Sequence, residues 1–281
     1  MKYKKAYKSE KGKDEVINIY DEILKKWKVT YEVFNIDSSY GSTFVIRSGD
    51  IAFPPLLLLH GTSSNSAIWI EDVEEYSKNF CVYAIDIPGE PGKSEERQYS
   101  LKEPLYIKWL NEIVTTLKLR KVSIVGISLG AWLAVGYASQ YPQNIDKLVL
   151  LCPSGIGSQK VSFILKAMPL MLLGDWGFNR ISRMVNGNQT MLKEAEEYTK
   201  LIARNFNLRT EPVPIYSDDE LRQLKMPVLV FAGENDVLLN SYETVSCISR
   251  VLPEAKVSLL SGYGHVLIGL KSQIADFLLT D

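Results

Sequence analysis

The amino-acid sequence predicts an α/β fold, a mostly parallel and doubly wound sheet with a helical segment inserted into it. Short, continuous apolar runs recur along the chain, helical patterns separate them, and one long stretch without such a run interrupts the alternation. Continuous apolar runs are typical of strands buried on both faces, which occur in parallel sheets. With 281 residues, of which 46% are hydrophobic, the chain is long enough for one large domain of this kind.

The first 40 residues precede these runs and form an N-terminal extension. Apolar residues recur at helical spacing from Asp14 to Trp27. The segments Lys28–Asp37 and Ser42–Arg47 predict two strands, because they are partly alternating and contain β-branched and aromatic residues. The extension carries no recognisable motif, so packing on the sheet edge and a part in dimerisation both stay open.

The apolar runs and the helical patterns alternate from Pro55 onward. The predicted strands are Leu56–Leu59, Cys81–Ile87, Val122–Gly126, Leu148–Leu151, Val228–Ala232 and Val257–Leu260. The predicted helices between and after them are Ala67–Asn79, Ser100–Leu119, Leu129–Gln140, Ser241–Val251 and Val266–Thr280. Strands and helices that alternate at this spacing form a doubly wound sheet with right-handed crossovers.

Residues 153–214 break this rhythm. They read as helical, are rich in apolar side chains and contain no buried-strand run, and the alternation resumes after Met226 and Pro227. The segment is therefore interpreted as a helical cap inserted into a core that consists of residues 1–152 and 215–281. An ordinary pair of helices packed in the main core is the alternative interpretation.

Charge and cysteine content exclude several classes of protein. Lys plus Arg number 32 and Asp plus Glu number 33, a balance that argues against a nucleic-acid partner. No apolar run approaches the length of a membrane-spanning helix, and the basic N-terminus is not followed by the apolar segment of a secretory signal. Cys81, Cys152 and Cys247 lie far apart, which predicts neither a disulfide framework nor a zinc site and favours a cytoplasmic location.

The segment Gly126–Gly130 fits the pattern G-x-S-x-G, with a strand pattern before it and a helix pattern after it. A serine at such a turn is strained, its hydroxyl is exposed, and the free N–H groups of the helix N-terminus point at the same place. The central residue, Ser128, is thus a candidate nucleophile that needs a base. The chain has two histidines, His60 and His265, and each follows a predicted strand.

A third group must orient the imidazole and stabilise its cation. The run Val228–Ala232 leads into Gly-Glu-Asn-Asp, so Glu234 and Asp236 both lie beyond a strand end. Spacing alone leaves both carboxylates open.

Four motifs, in this order, resemble the α/β-hydrolase superfamily of the cap-bearing serine esterase and lipase type. They are the His-Gly-Thr string at 60–62, the Asp-Ile-Pro-Gly-Glu-Pro-Gly-Lys-Ser stretch at 86–94 with one residue more than the family pattern, the G-x-S-x-G turn at 126–130, and the acid and histidine loops at 233–236 and 264–265. The resemblance extends from about Pro55 to the C-terminus.

The resemblance implies a role for each matching residue. Ser128 matches the nucleophile, His265 the general base, and Asp236, rather than Glu234, the orienting carboxylate. The backbone N–H groups of Thr62 and Leu129 match the oxyanion hole. The resemblance also implies that His60 shapes the oxyanion loop and that Asp86 organises the loop that it begins. A solvated or helix-capping role is the alternative for Asp86.

The resemblance further implies a serine carboxylesterase that needs neither cofactor nor metal. Its expected partner is an ester of small to medium size and largely apolar character, with no nucleic acid and no membrane, and the chain is expected to be a monomer or homodimer. Leu165, Met168, Met171 and Trp176 of the cap are predicted to contact substrate, and core packing is the alternative for each. C–C bond hydrolysis, cofactor-free haloperoxidase or perhydrolase chemistry, and ligand binding without catalysis remain alternative functions.

Overall fold

The computed structural model describes residues 4–187 and 189–280, without the side chains of Ile164 and Met171. Its strands are β1 (Lys4–Lys5), β2 (Tyr31–Ser38), β3 (Gly41–Ser48), β4 (Pro55–Leu59), β5 (Cys81–Ile85), β6 (Arg97–Gln98), β7 (Val122–Ile127), β8 (Ile145–Leu151), β9 (Val228–Gly233) and β10 (Lys256–Leu260). Its α-helices are α1 (Glu10–Leu24), α2 (Val73–Tyr76), α3 (Leu105–Thr116), α4 (Leu129–Gln140), α5 (Val161–Met171), α6 (Gly174–Asn186), α7 (Lys193–Asn205), α8 (Asp218–Leu221), α9 (Ser241–Val251) and α10 (Lys271–Leu279).

The main sheet has eight strands in the order β10-β9-β8-β7-β4-β5-β3-β2. The six strands from β10 to β5 are parallel, whereas β3 runs antiparallel to β5 and β2 antiparallel to β3. The prediction of a mostly parallel sheet is confirmed. The short strands β1 and β6 form a separate antiparallel pair.

Two apolar layers cover the sheet, one on each face. Successive side chains of a strand point to opposite faces, so Leu57 and Leu59 of β4 enter the layer with α3 and α4, while Leu56 and Leu58 enter the other layer. All four are fully buried. This arrangement explains why the strand reads as an uninterrupted run of leucines.

The N-terminal extension is part of the second layer. Val16 and Tyr20 of α1 are fully buried in it, and Tyr198 and Ile202 of α7 are buried in the same layer. The extension also supplies β2, the edge strand of the sheet, which pairs with β3. It therefore joins the sheet to the helices inserted between β8 and β9.

Three of the helices predicted after Pro55 differ from the observed ones. The helix predicted over Ala67–Asn79 is wrong: a 3-10 helix over Ser66–Trp69 and the short α2 take its place. Helix α3 begins only after Pro104, since a proline disfavours helical backbone in the residue before it. Helix α10 begins at Lys271, because Gly269, with a φ of 78°, ends the preceding loop in the left-handed region.

Between β8 and β9, the described residues form α5, α6, α7 and the short α8, and none of them joins the main sheet. We call α5, α6 and α7 the inserted helices. Their division from the core as a cap stays a prediction. Across the described chain, every helix is too short or too polar to cross a membrane.

Candidate active site

Ser128 occupies the sharp turn between β7 and α4. Its φ of 50° and ψ of −106° place a non-glycine residue in strained backbone, and its N–H donates to the Leu151 carbonyl at 2.9 Å. The turn requires glycine on both sides: a Cβ at Gly126 would clash with the backbone of α4, and one at Gly130 with the carbonyls of Leu59 and His60. The sequence motif thus reflects the close approach of the two backbones.

Asp236 and His265 meet at the carboxyl edge of the same sheet. Oδ2 of Asp236 lies 2.7 Å from Nδ1 of His265, and Oδ1 accepts the N–H groups of Leu238 at 2.7 Å and Leu239 at 3.0 Å. Burial alone would raise the pKa of Asp236, but His265 and the two amides bring that pKa below its ordinary value. The carboxylate is therefore charged, and it fixes Nδ1 of the imidazole as the donor.

Glu234, the other candidate acid, points elsewhere. It is bonded by the hydroxyls of Tyr242 at 3.1 Å and Ser261 at 2.7 Å, outside the Asp236–His265 pair. The structure brings Asp236, and not Glu234, to His265.

The other histidine is fully buried and uses both ring nitrogens. Nδ1 of His60 donates to the Gly61 carbonyl at 2.8 Å, and Nε2 accepts the N–H of Ile87 at 2.9 Å. Burial lowers the pKa of His60, so the ring is neutral. With both nitrogens engaged, His60 links two loops and has no free position for proton transfer.

The carboxylate of Asp86, one residue before Ile87, accepts three hydrogen bonds. Oδ1 accepts the hydroxyl of Tyr20 at 3.0 Å and the N–H of Ser66 at 2.9 Å, and Oδ2 accepts the N–H of Lys93 at 2.9 Å. Its side chain is fully buried. The N-terminal extension, through Tyr20, thereby braces the loop that begins at Asp86.

The predicted oxyanion donors belong to the first turn of α4 and to the loop that follows β4. Leu129 is the first residue of α4, where backbone N–H groups have no partner within the helix. The loop before Thr62 passes close to the serine, since a Cβ at Gly61 would lie 3.5 Å from Cβ of Ser128. Within the described part of the chain, the N–H groups of Thr62 and Leu129 make no hydrogen bond.

The sequence does not predict four residues that lie next to Ser128, Asp236 or His265. Ser154 Oγ lies 3.3 Å from Ser128 Oγ, whereas no hydrogen bond joins Ser128 to His265 among the described residues. The insertion contributes Lys160, whose Nζ donates to the Asp236 carbonyl at 2.7 Å, and Val185, whose carbonyl accepts the His265 N–H at 2.7 Å.

The fourth missed residue is Cys152, which directly follows β8 and is buried. Its thiol and the donor atoms of Asp236 and His265 lie within 4.8 Å of one another. Metal ligation needs a thiolate, but burial raises the pKa of Cys152 well above its ordinary value, and Asp236 and His265 already bond to each other. The group is therefore better suited to orient an imidazole than to hold a metal. The rule that sites follow strand ends could have identified Cys152 and Ser154.

The predicted substrate contacts of the insertion are exposed. Leu165, Met168 and Trp176 are 69%, 59% and 65% exposed as residues, so they do not pack in the core. Met171 is the fourth predicted contact, and its side chain lies outside the described part of the structure. Contact with substrate stays a prediction for all four.

Comparison with known proteins agrees with this architecture. Residues 54–214 match the family model for the alpha/beta hydrolase fold. Two Bacillus subtilis proteins, the uncharacterized carboxylesterase Nap and carboxylesterase YbfK, are 27% and 24% identical over 88% of this chain and over 85% and 86% of their own lengths. The crystal structure of the Bacillus subtilis carboxylesterase CesB (YbfK) superposes with a TM-score of 0.84 at 22% identity and covers 96% of this chain and 97% of that one. The family match spans more than half of the sequence, and the chain belongs to the α/β-hydrolase fold family.

Proposed function

We propose that the chain is a carboxylesterase that cleaves esters through a covalent acyl intermediate on Ser128. The observation that carries this proposal is the 2.7 Å hydrogen bond between Asp236 Oδ2 and His265 Nδ1, at the carboxyl edge of the sheet where Ser128 occupies a strained turn. Because Nδ1 is fixed as a donor, Nε2 of His265 is the nitrogen that can accept a proton. The carboxylesterase names of the relatives Nap and YbfK support the ester as substrate.

The reaction follows from these positions. Ser128 Oγ bonds to the ester carbonyl carbon as its proton passes to His265 Nε2, and Asp236 stabilises the resulting imidazolium. The N–H groups of Thr62 and Leu129 hold the oxyanion. The bond to the alcohol then breaks, and the alcohol takes the proton from Nε2. Water, deprotonated by the same nitrogen, attacks the acyl carbon and releases the acid and the free serine.

In the resting site, Ser128 Oγ lies 3.3 Å from Ser154 Oγ, within hydrogen-bond distance. Catalytic hydrogen bonds are often formed only when substrate is bound, so we expect Ser128 to turn from Ser154 toward His265 on binding. Ser154 accordingly holds the resting serine and takes no part in proton transfer.

We propose that the inserted helices form a cap whose apolar side chains receive the substrate. Leu165, Met168 and Trp176 present exposed apolar surface on α5 and α6, which suits uncharged esters of small to medium size.

We also propose a cytoplasmic location. The three cysteines are unpaired, which supports a reducing compartment.

A fluorophosphonate probe tests the proposal without a choice of substrate. The serine oxygen displaces fluoride from phosphorus, and intact-mass spectrometry counts the adducts. We expect one adduct on the wild type, none on Ser128→Ala, strongly slowed labelling of His265→Ala, and normal labelling of the control Ser154→Ala. An adduct that persists in Ser128→Ala, or a folded wild type without one, would contradict the proposed nucleophile.

A panel of p-nitrophenyl esters and one dienoic ring-fission product then identifies the reaction. Hydrolysis of the esters without cleavage of the dienoate is expected. Preferential cleavage of the dienoate would instead support C–C bond hydrolysis by the same residues.

A further inference from the structure

A buried ion pair lies beside the predicted oxyanion loop. Oε1 of Glu90 is 3.3 Å from Nε of Arg209, and the side chains are 0% and 5% exposed. Glu90 belongs to the stretch 86–94, the motif that is one residue longer than the family pattern. Burying a carboxylate costs free energy unless it is paired and hydrogen-bonded. A buried ion pair at this position therefore indicates a function for Glu90.

The second oxygen of Glu90 binds the oxyanion loop directly. Oε2 accepts the backbone N–H of Ser63 at 2.7 Å. Ser63 has a φ of 58°, a left-handed conformation that non-glycine residues adopt at a cost of about 1 kcal/mol or more. Ser63 follows Thr62, and the peptide group between them is planar. Fixing the Ser63 N–H therefore restricts the backbone of Thr62, whose own N–H is the proposed oxyanion donor.

Arg209 is itself held from several sides. It lies beyond α7, where the chain returns from the insertion, and its Nη1 donates to the Tyr99 carbonyl at 2.8 Å. Nη2 donates to the Tyr106 hydroxyl at 2.6 Å, and that hydroxyl donates to the Pro88 carbonyl at 3.0 Å. The guanidinium is thus fixed in place, and it fixes the Glu90 carboxylate in turn.

We propose that Glu90 is a positioning residue for catalysis: its carboxylate, held by Arg209, keeps the Thr62–Ser63 loop in the conformation that presents the Thr62 N–H to the ester oxyanion. This inference rests on the proposed esterase function. It follows from the hydrogen bond to Ser63, the left-handed backbone that this bond stabilises, and the contacts that immobilise Arg209.

Because Glu90 can lose its charge, the positioning of the Thr62–Ser63 loop should depend on pH. Burial raises the pKa of Glu90 to about 7, and Arg209 and the Ser63 amide oppose this shift. The titratable and charged groups that face it are Arg209 and, through Arg209, Tyr106, whose own pKa is raised above its ordinary value, chiefly by burial. Protonation of Glu90 weakens the pair with Arg209, so loop positioning should be lost toward acid pH.

The test compares Glu90 with Glu211, a second carboxylate that lies on the same returning segment as Arg209. Glu211 accepts the Ser100 hydroxyl and the Leu101 N–H, both at 2.8 Å, and so anchors this segment away from the oxyanion loop. Glu211→Ala is the matched control for loosening of the segment alone. Glu90→Ala removes both contacts, whereas Glu90→Gln keeps an oxygen for the Ser63 N–H and removes the charge.

Each variant is assayed for kcat and KM on a p-nitrophenyl ester and for affinity toward a boronic acid that forms a tetrahedral adduct with serine. We expect Glu90→Ala to lower kcat about tenfold to a hundredfold with KM nearly unchanged, because a small misplacement of an oxyanion donor costs this much. Boronate affinity should fall in parallel. Glu90→Gln should be intermediate and should lack the part of the acid-side change in kcat near pH 7 that comes from Glu90, while Glu211→Ala stays within about twofold.

Equal losses in Glu90→Ala and Glu211→Ala, or a folded Glu90→Ala with unchanged kcat and boronate affinity, would overturn the inference. If Glu90→Ala does not fold, Glu90→Gln decides, and an unchanged pH profile and boronate affinity in that variant would overturn it. A wild type that binds the boronate without hydrolysing esters would contradict the esterase function, and boronate affinity alone would still compare the Glu90 variants.

Discussion

The backbone N–H of His265 donates a hydrogen bond to the carbonyl oxygen of Val185, with 2.7 Å between the two atoms. Val185 lies in the last turn of α6, where carbonyl groups have no partner within the helix. Immediately beyond, Gly187 forms an antiparallel bridge with Tyr263. The inserted helices and the loop of the proposed base therefore share backbone hydrogen bonds, so a shift of α6 would change the position of the imidazole.

Gly264→Ala tests this connection. A Cβ at Gly264 would clash with the Val185 carbonyl and crowd the backbone of Asn186 and Gly187, so the His265 loop must move away from α6. We expect kcat on a p-nitrophenyl ester to fall at least about tenfold, and fluorophosphonate labelling of Ser128 to slow in parallel.

Gly269→Ala is the control for this prediction. A Cβ at Gly269 meets no atom within 4 Å, although its φ of 78° makes any side chain strained there. This variant should lose thermal stability but keep its kcat. Equal rates in the wild type and in Gly264→Ala would show that the contact with α6 does not position His265.

Asp236→Asn should lower kcat by roughly a thousandfold to ten-thousandfold. The amide can present its NH2 group to Nδ1 of His265, which favours the tautomer with the proton on Nε2 and leaves the imidazolium without its carboxylate. Steady-state kinetics on the same ester measure the loss. Glu234→Gln, two residues earlier in the same loop, should retain kcat within about twofold, because its carboxylate bonds to Tyr242 and Ser261 instead. A larger loss in Glu234→Gln than in Asp236→Asn would reverse the assignment of the acid.

The fold was largely predictable because a strand buried on both faces leaves an unmistakable run of apolar residues. β4, with its four consecutive leucines, is the clearest case. Helix starts were less predictable: the prediction over Ala67–Asn79 missed that Asn65 caps only a short 3-10 turn, with its side-chain oxygen on the Ala67 N–H. Local hydrogen bonds of this kind compete with helix formation and leave little trace in apolar spacing.

The residues of the candidate site also fall into a group that the sequence predicts and a group that it does not. Ser128, Asp236 and His265 follow strand ends in recognisable motifs, so their placement at one edge of the sheet was predictable. Arg209 and Val185 come from the insertion, and only the three-dimensional return of that segment brings them to Glu90 and His265. No spacing rule relates residues more than 70 positions apart across an irregular connection, which is why these contacts were missed.

Tyr20→Phe should destabilise the fold by about 1.5–3 kcal/mol, since it removes a hydrogen bond to the buried carboxylate of Asp86. Tyr76→Phe is the matched control, because the Tyr76 hydroxyl is buried and has no hydrogen-bond partner among the described residues. Its removal should be neutral or stabilising. Urea denaturation followed by tryptophan fluorescence measures both free energies of unfolding. A similar loss in the two variants would mean that the Tyr20 hydroxyl contributes no more than its packing.

The free energy of unfolding should depend on pH through Glu90, with a sign opposite to that of most carboxylates. Its pKa is about 7 in the folded state against an ordinary value of 4.5, so the folded chain binds more protons than the unfolded chain between these values. The contribution of Glu90 to stability is therefore fully present below about pH 4.5, declines as the pH rises, and is lost above about pH 7. Relative to Glu90→Gln, which does not titrate there, the wild type should lose up to about 3 kcal/mol across this window.

Glu234→Gln gives the opposite comparison. The pKa of Glu234 is lowered, chiefly by the hydrogen bond that the Ser261 hydroxyl donates to it, so the wild type should lose stability relative to Glu234→Gln as the pH falls. Urea denaturation at pH 4.5, 5.5, 6.5 and 7.5 measures the difference due to Glu90, and further measurements below pH 4.5 measure the difference due to Glu234. A wild type that gains stability relative to Glu90→Gln as the pH rises would show that Arg209 outweighs burial at Glu90.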